Sequence, residues 1–327
     1  MSLKRLIIMR FRIGTRGSAL AMWQAKHVAA RLQEEFQDID IELVVIKTRG
    51  DKILDTPLAV IGGKGLFTKE IEDELLAEGI DLAVHSLKDL PTELPSGLCI
   101  AAILKREDPR DVFVASGAQS LDDLKPGARV GTSSLRRRAF LLNKYPALDI
   151  VSIRGNVDTR IKKIDSLNMA GVILAAAGLI RMGYSKKMSF IVDPDVMIPA
   201  IGQGALAIEA RESDSNVLER LSFLNDPFTE TCVSVERAFL ERMGGGCQVP
   251  MAAYCAPLGS GFQFTAAVVH PDGKPMFREQ YVTDSIKPVD GSHIADLLIH
   301  KGASRILREV LGRNWRPGSD ASLIETI

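Results

Sequence analysis

Residues 65–86 read GLFTKEIEDELLAEGIDLAVHS. Phe67, Ile71 and Leu75 recur four apart, which places them on one face of a helix, and Gly79 offers a stop. DLAVHS follows at once, short and apolar enough for a strand buried on both faces. The same hand-over recurs along the chain. FRIG (11–14) runs through GTRGS into ALAMWQAKHVAARLQEEF (19–36), where Val28, Leu32 and Phe36 share a face; IELVVIKT (41–48) is a strand ended by TRGD. Strand and helix in alternation predict an α/β protein with parallel sheets covered on both faces.

Beyond a polar stretch, REDPRD (106–111), a second series has the same rhythm. RVGTSS leads into LRRRAFLLNKY (135–145), DIVSIRG into NVDTRIKKID (156–165), and GVILAAAG into LIRMG (179–183). PAIGQGALAIEAR (199–211) resumes a strand after a glycine pair and is read as the chain crossing back to the first domain. Asp226-Pro227 caps and opens a helix, DPFTETCVSVERAFLERM (226–243). FQFTAAVV and FREQYVTD flank PDGK as a hairpin, and ADLLIHKGASRILREVL (295–311) closes a small α+β domain. The expected division is 1–104 with 204–222, then 105–203, then 223–327.

Lys plus Arg equals Asp plus Glu at 41 each, so no global field favours nucleic acid or an anionic membrane. The apolar opening run is interrupted by Arg10 and Arg12, too short for a secretory signal, and a cytoplasmic protein is expected. Four cysteines in 327 residues fit a reducing compartment. Cys99 and Cys232 read as small core hydrophobes and Cys255 as part of a strand. Cys247 alone sits in a glycine-rich turn, MGGGCQVP (243–250), and no histidine cluster accompanies it, so no metal site is expected.

Ligands of α/β sheets sit beyond the carboxyl ends of strands. Those loops here carry Arg16 and Ser18; Ser86, Lys88 and Asp89; Thr132, Ser134, Arg136 and Arg137; Arg154, Arg160 and Arg181. Residues 129–163 hold nine basic side chains against two acidic ones. Solvated surface charge is the bland reading. Arg136 and Arg137 resist it, because they follow GTSS at a helix start, where cations are disfavoured by about 0.3–1 kcal/mol each unless an anion compensates them. Arg138 is expected at the surface. There is no Walker loop and no GxGxxG opening a helix, and arginines spread over several loops point to a ligand with several carboxylates. Asp89 is open to two readings: an ordinary turn aspartate, or a carboxylate facing positive charge that develops in a substrate. His85, one residue inside the strand, reads as a core histidine.

Ten blocks, in order, resemble the porphobilinogen deaminase family: IGTRGSALAMWQA, TRGD, GGKGLFTKE, DLAVHSLKDLPT, REDPRD, VGTSSLRR, RGNVDTR, LAAAGLIRMG, PAIGQGALAIE and GGGCQVP. The resemblance implies a transferase of tetrapyrrole biosynthesis that condenses porphobilinogen head to tail with loss of ammonia. Its fold would be two α/β domains like those of periplasmic binding proteins, plus a smaller α+β domain. It implies a dipyrromethane cofactor on Cys247 through a thioether, Asp89 as catalytic carboxylate, and Arg16, Ser18, Ser86, Lys88, Thr132, Ser134, Arg136, Arg137, Arg154, Arg160 and Arg181 as binders of cofactor or substrate carboxylates. Lys64 and Phe67 match a mobile loop over the cleft, Gln203 is placed near the interdomain crossover, and a monomer is expected. Two rivals remain: a binding protein of the periplasmic type, which has no use for Cys247, and a transferase with another nucleophile, for which no Ser-His-Asp or Cys-His arrangement stands out.

Overall fold

The computed structural model describes residues 9–52, 65–115, 117–244, 249–312 and 315–318. Their elements, in chain order, begin with β1 (Met9–Thr15), α1 (Ala19–Glu35), β2 (Ile39–Val45), α2 (Arg49–Lys52), α3 (Lys69–Leu76), β3 (Leu82–Ser86) and β4 (Leu98–Ile103). There follow β5 (Asp111–Ala115), β6 (Arg129–Gly131), α4 (Leu135–Lys144), β7 (Asp149–Val151), α5 (Val157–Ser166), β8 (Gly171–Ala175), α6 (Ala176–Arg181) and β9 (Phe190–Ile191). The chain then runs through β10 (Leu206–Arg211), α7 (Ser215–Leu221), α8 (Pro227–Arg242), β11 (Met251–Leu258), β12 (Gly261–Val269), β13 (Met276–Thr283), α9 (Pro288–Leu298) and α10 (Ser304–Leu311). No helix among the described residues is long and apolar enough to cross a membrane.

Two compact units result, one from Met1–Arg106 with Ala205–Pro227, the other from Glu107–Gly204 with Phe228–Ile327. The first holds the sheet β2-β1-β3-β10-β4 and the second the sheet β7-β6-β8-β5-β9. The expected parallel sheets are in fact mixed, and both in the same way. β1 lies parallel to β2 and β3, and β6 parallel to β7 and β8, but β10 and β5 run antiparallel to their neighbours. Each antiparallel strand is where the chain enters a unit from outside that unit's own strand–helix series. Hydrophobic pattern encodes burial, not direction, so sequence alone could not reveal the reversal.

In the first unit Val28 and Leu32 of α1 pack on Phe11, Ile13, Leu82 and Val84, while Ile71 and Leu75 of α3 cover Ala83 on the opposite face. α3 starts at Lys69, leaving Phe67 in the turn before it, and the left-handed residue that ends it is Glu78 (φ 57°) rather than Gly79. The second unit also contains the antiparallel sheet β11-β12-β13. One face of that sheet supplies Ala252, Ala267 and Val269 to the core around Phe113 and Phe140; the other packs Phe264 and Val268 against Phe239, Leu298 and Leu307 of the helices. Cys232 is buried there as expected, and Cys255 lies in β11 as expected and is buried too; Cys99, expected in the core, is only half-buried at the end of its sheet, on β4. The single closing helix is instead two, broken at Gly302 (φ 116°), where a side chain would be strained and would meet the Phe277 ring.

Candidate active site

In the first unit the loops after three parallel strands converge. TRGD, after β2, returns to β1: Asp51 accepts from Arg16 Nε at 3.1 Å and from Thr48 Oγ1 at 2.8 Å. Burial alone would push the Asp51 carboxyl up, but the bonds from Arg16 and Thr48 outweigh it and hold the group below its ordinary range. The Arg16 guanidinium also lies over the Phe67 ring, 4.2 Å from its centroid. Gly50 makes this possible, since a Cβ there would stand 2.1 Å from that ring.

After β3 the chain turns through a 3-10 turn, Leu87–Asp89. Leu87 and Leu90 are buried, Leu87 N donates to Ala205 O at 3.0 Å, and Asp89 is left exposed between them. Ser86 Oγ accepts from Gln24 Nε2 at 2.9 Å. Arg16, Gln24, Phe67, Thr68, His85, Ser86 and Asp89 line one cavity of about 40 Å³. Ser18 serves locally as N-cap of α1, accepting from Ala21 N at 3.3 Å, and Lys88 is not among the lining residues.

In the second unit the corresponding loops follow β6, β7 and β8, which are parallel and so end on one edge of their sheet. Ser134 caps α4 and accepts from Arg137 N at 3.4 Å, while Thr132 Oγ1 accepts from Ser134 N at 3.2 Å. The anion that compensates Arg136 and Arg137 in this structure belongs to the protein. Asp111, fully buried at the start of β5, lies 2.7 Å from Arg136 Nη1 and 2.8 Å from Arg137 Nη2, and accepts from Gln203 Nε2 at 3.1 Å. Positive φ at Gly202 and Gly204 turns Gln203 inward. Burial raises the Asp111 carboxyl, yet Arg136 and Arg137 together drive it far below its ordinary value. Two guanidiniums share one carboxylate, so the cluster keeps an excess positive charge.

Arg181 Nη2 donates to Gly204 O at 2.6 Å, and burial lowers this arginine to about 10, still protonated near neutrality. Arg160 Nε donates to Gly155 O at 2.8 Å, and Arg154 is half-buried in the same loop. Arg138, expected at the surface, has its side chain 38% exposed there and reaches Pro271 O at 3.3 Å and the exposed Asp272 at 3.2 Å. Cys247 and Lys64 lie outside the described residues. Among the described residues no cluster of His, Cys, Asp and Glu could hold a metal. Sequence reading missed Asp111, Asp51 and Gln24. The first was signalled by an aspartate placed directly before the apolar run VFVA, which a buried charge can occupy only with partners.

The Asp111 cluster yields a stability prediction. Asp111→Asn keeps the size but leaves two buried guanidiniums without their carboxylate, and is expected to cost about 3–5 kcal/mol of unfolding free energy. The folded-state value lies below the unfolded one, so Asp111 contributes fully above about pH 4 and its contribution fades as pH falls further. Urea melts of both proteins should show a gap that narrows on acidification. A wild-type midpoint in the variant would mean the guanidiniums are compensated elsewhere.

Fold and loops define the class first: an α/β protein with arginine-rich loops at the carboxyl ends of parallel strands. Comparison with known proteins supplies the rest. Residues 11–219 match "Porphobilinogen deaminase, dipyromethane cofactor binding domain" and residues 230–297 match "Porphobilinogen deaminase, C-terminal domain". Porphobilinogen deaminase of Trichlorobacter lovleyi is 49% identical over 93% of this chain and 97% of its own. That of Geobacillus kaustophilus is 48% identical over 91% and 96%. Among solved structures, the methionine binding protein MetQ covers 66% of this chain and 89% of its own at 13% identity and a TM-score of 0.43. The chain belongs to the porphobilinogen deaminase family. It is accordingly a transferase of tetrapyrrole biosynthesis with dipyrromethane as cofactor. The donor set fits that polycarboxylate, since the second unit's loops combine Arg154, Arg160 and Arg181 with the cationic excess around Asp111.

Proposed function

We propose that this chain condenses four porphobilinogen molecules head to tail, releasing ammonia at each step, and then frees the linear tetrapyrrole hydroxymethylbilane with water. Dipyrromethane, tethered to Cys247 through a thioether, supplies the primer end to which units are added. Arg136, Arg137, Arg154, Arg160 and Arg181, with Thr132 and Ser134, hold carboxylates of cofactor and product on one unit. Arg16, Ser18, Ser86 and Lys88 do so on the other. Asp89, exposed on its turn, faces the cationic pyrrole nitrogen and takes the proton shed by the reacting carbon. Phe67 and Lys64 cover the site, and Gln203 holds Asp111 in place. The division into domains at 1–104 with 204–222, 105–203 and 223–327, a monomeric state and a cytoplasmic location belong to the same proposal.

The observation that carries this reading is a cavity at the carboxyl ends of β1 and β3, lined by a guanidinium, a hydroxyl and a carboxylate from Arg16, Ser86 and Asp89. A binding protein needs the first two; the carboxylate beside them suits a substrate that becomes cationic as it reacts. The test is intact-protein mass: freshly purified, active protein is expected to carry one dipyrromethane. A bare polypeptide mass in active protein overturns the proposal.

A further inference from the structure

The wall of that cavity carries groups the proposal above does not use. Ala83 of β3 pairs with Glu209 of β10, and His85 with Ala207, so His85 and Glu209 stand on the same face of the sheet. His85 Nε2 lies 3.0 Å from Glu209 Oε2. Glu72 of α3 sits above them, its carboxyl pushed up by burial first and then by the charge of Glu209. His85 is 6%, Glu209 0% and Glu72 7% exposed. Apart from the imidazole, neither oxygen of Glu209 meets a hydrogen-bond donor among the described residues, nor does Oε1 of Glu72.

Stability gives no reason for this cluster. Burying such groups costs several kcal/mol each, and apolar residues of equal volume commonly hold a fold as well or better. Position does give a reason. His85 lines the cavity together with Arg16, Ser86 and Asp89, so the buried carboxylates lie directly behind a residue of the wall that Asp89 shares.

We propose that His85, held by Glu209 with Glu72 behind it, is a positioning residue that acts through Asp89: it accepts the proton Asp89 takes from the reacting carbon and hands it back by way of Asp89 to the ammonia already released when the C–N bond broke. The inference rests on the reading of Asp89 given above. The step balances, because each condensation breaks one C–N bond, forms one C–C bond and frees one ring proton, which leaves with the ammonia as ammonium. Histidine is the side chain whose charge ordinarily changes nearest neutrality, and the Glu209 carboxyl stands 3.0 Å from Nε2 of this one. The charged groups around it are Glu209 from β10 and Glu72 from α3, and Arg16 and Asp89 are the others that line the same cavity. The cavity that His85 and Asp89 both line, about 40 Å³, has room for a water.

The test uses the full chain carrying its cofactor, in the variants His85→Gln, Glu209→Gln and Asp89→Asn, with intact mass, melting temperature, kcat and KM for porphobilinogen followed from about pH 6 to 9. His85→Gln and Glu209→Gln are expected to load cofactor fully and melt like the wild type. KM should hold within about threefold while kcat falls about 10–100-fold with an altered pH profile. Unchanged kcat and pH profile overturn the proposal, as does a loss that tracks the unloaded or unfolded fraction. Glu209→Gln, which keeps the side chain's size, decides the matter if His85→Gln does not fold. Collapse in Asp89→Asn beside normal His85→Gln and Glu209→Gln removes this proposal alone; normal turnover in Asp89→Asn removes the reading beneath it as well.

Discussion

Cys247→Ser is expected to be isolated at the mass of the bare polypeptide and without detectable turnover. A thiol is partly ionised near neutral pH and its thiolate is a strong carbon nucleophile; a serine hydroxyl without an adjacent base is neither. Cys247 lies outside the described residues, but both ends of its segment are anchored in the second unit. Met243 is fully buried and its carbonyl accepts from Trp315 Nε1 at 2.9 Å, Gly244 takes φ 58°, and Val269 N donates to Pro250 O at 2.9 Å. The other thiols are poor substitutes. Cys232 and Cys255 are buried in the core, where no bulky electrophile reaches them, and burial pushes the Cys99 thiol up, away from its reactive form. Intact mass and a turnover assay on one preparation check the expectation. An added dipyrromethane on Cys247→Ser would move the attachment to another residue and sink the assignment.

Much of the fold could be read from periodicity because burial leaves a residue-by-residue record. Val28 and Leu32 of α1, Ile71 and Leu75 of α3, and LAVHS of β3 fall where their spacing put them. Strand direction leaves no such record, which is why the reversal of β5 and β10 came only with the coordinates. The break at Gly302 was hidden for a related reason: LLIHKGASRIL keeps an apolar stripe across the kink, and only the backbone shows φ 116°. The site was legible as an inventory of charges and not as a set of pairs. A helix start bearing Arg136 and Arg137 demanded an anion, but nothing in the sequence said that Asp111, 25 residues upstream of the first, would supply it. Gly50 likewise reads as a turn glycine until Phe67 is seen against it. His85 was expected in the core and is there; its carboxylate partner Glu209 is distant in sequence, so the pair is a product of β10 returning beside β3.

Asp89→Asn should lower turnover by about 10²–10⁴-fold while leaving the fold and cofactor loading intact. The two halves of that statement have separate physical grounds. Leu87 and Leu90 are buried, Leu90 N donates to Leu87 O at 3.1 Å, and Leu87 N is held by Ala205 O. The turn therefore does not depend on the aspartate's charge, asparagine is itself a good turn residue, and an exposed substitution of this kind stays within about 0.5 kcal/mol. Turnover does depend on that charge. An amide has the same shape and can accept a hydrogen bond, but it offers no net negative charge to a developing cation and cannot take up a proton at neutral pH. Melting temperature and intact mass should match the wild type while the rate of porphobilinogen consumption falls. A variant that melts early would show the carboxylate holding the turn, and one that turns over within a fewfold of wild type would return Asp89 to the role of an ordinary turn residue.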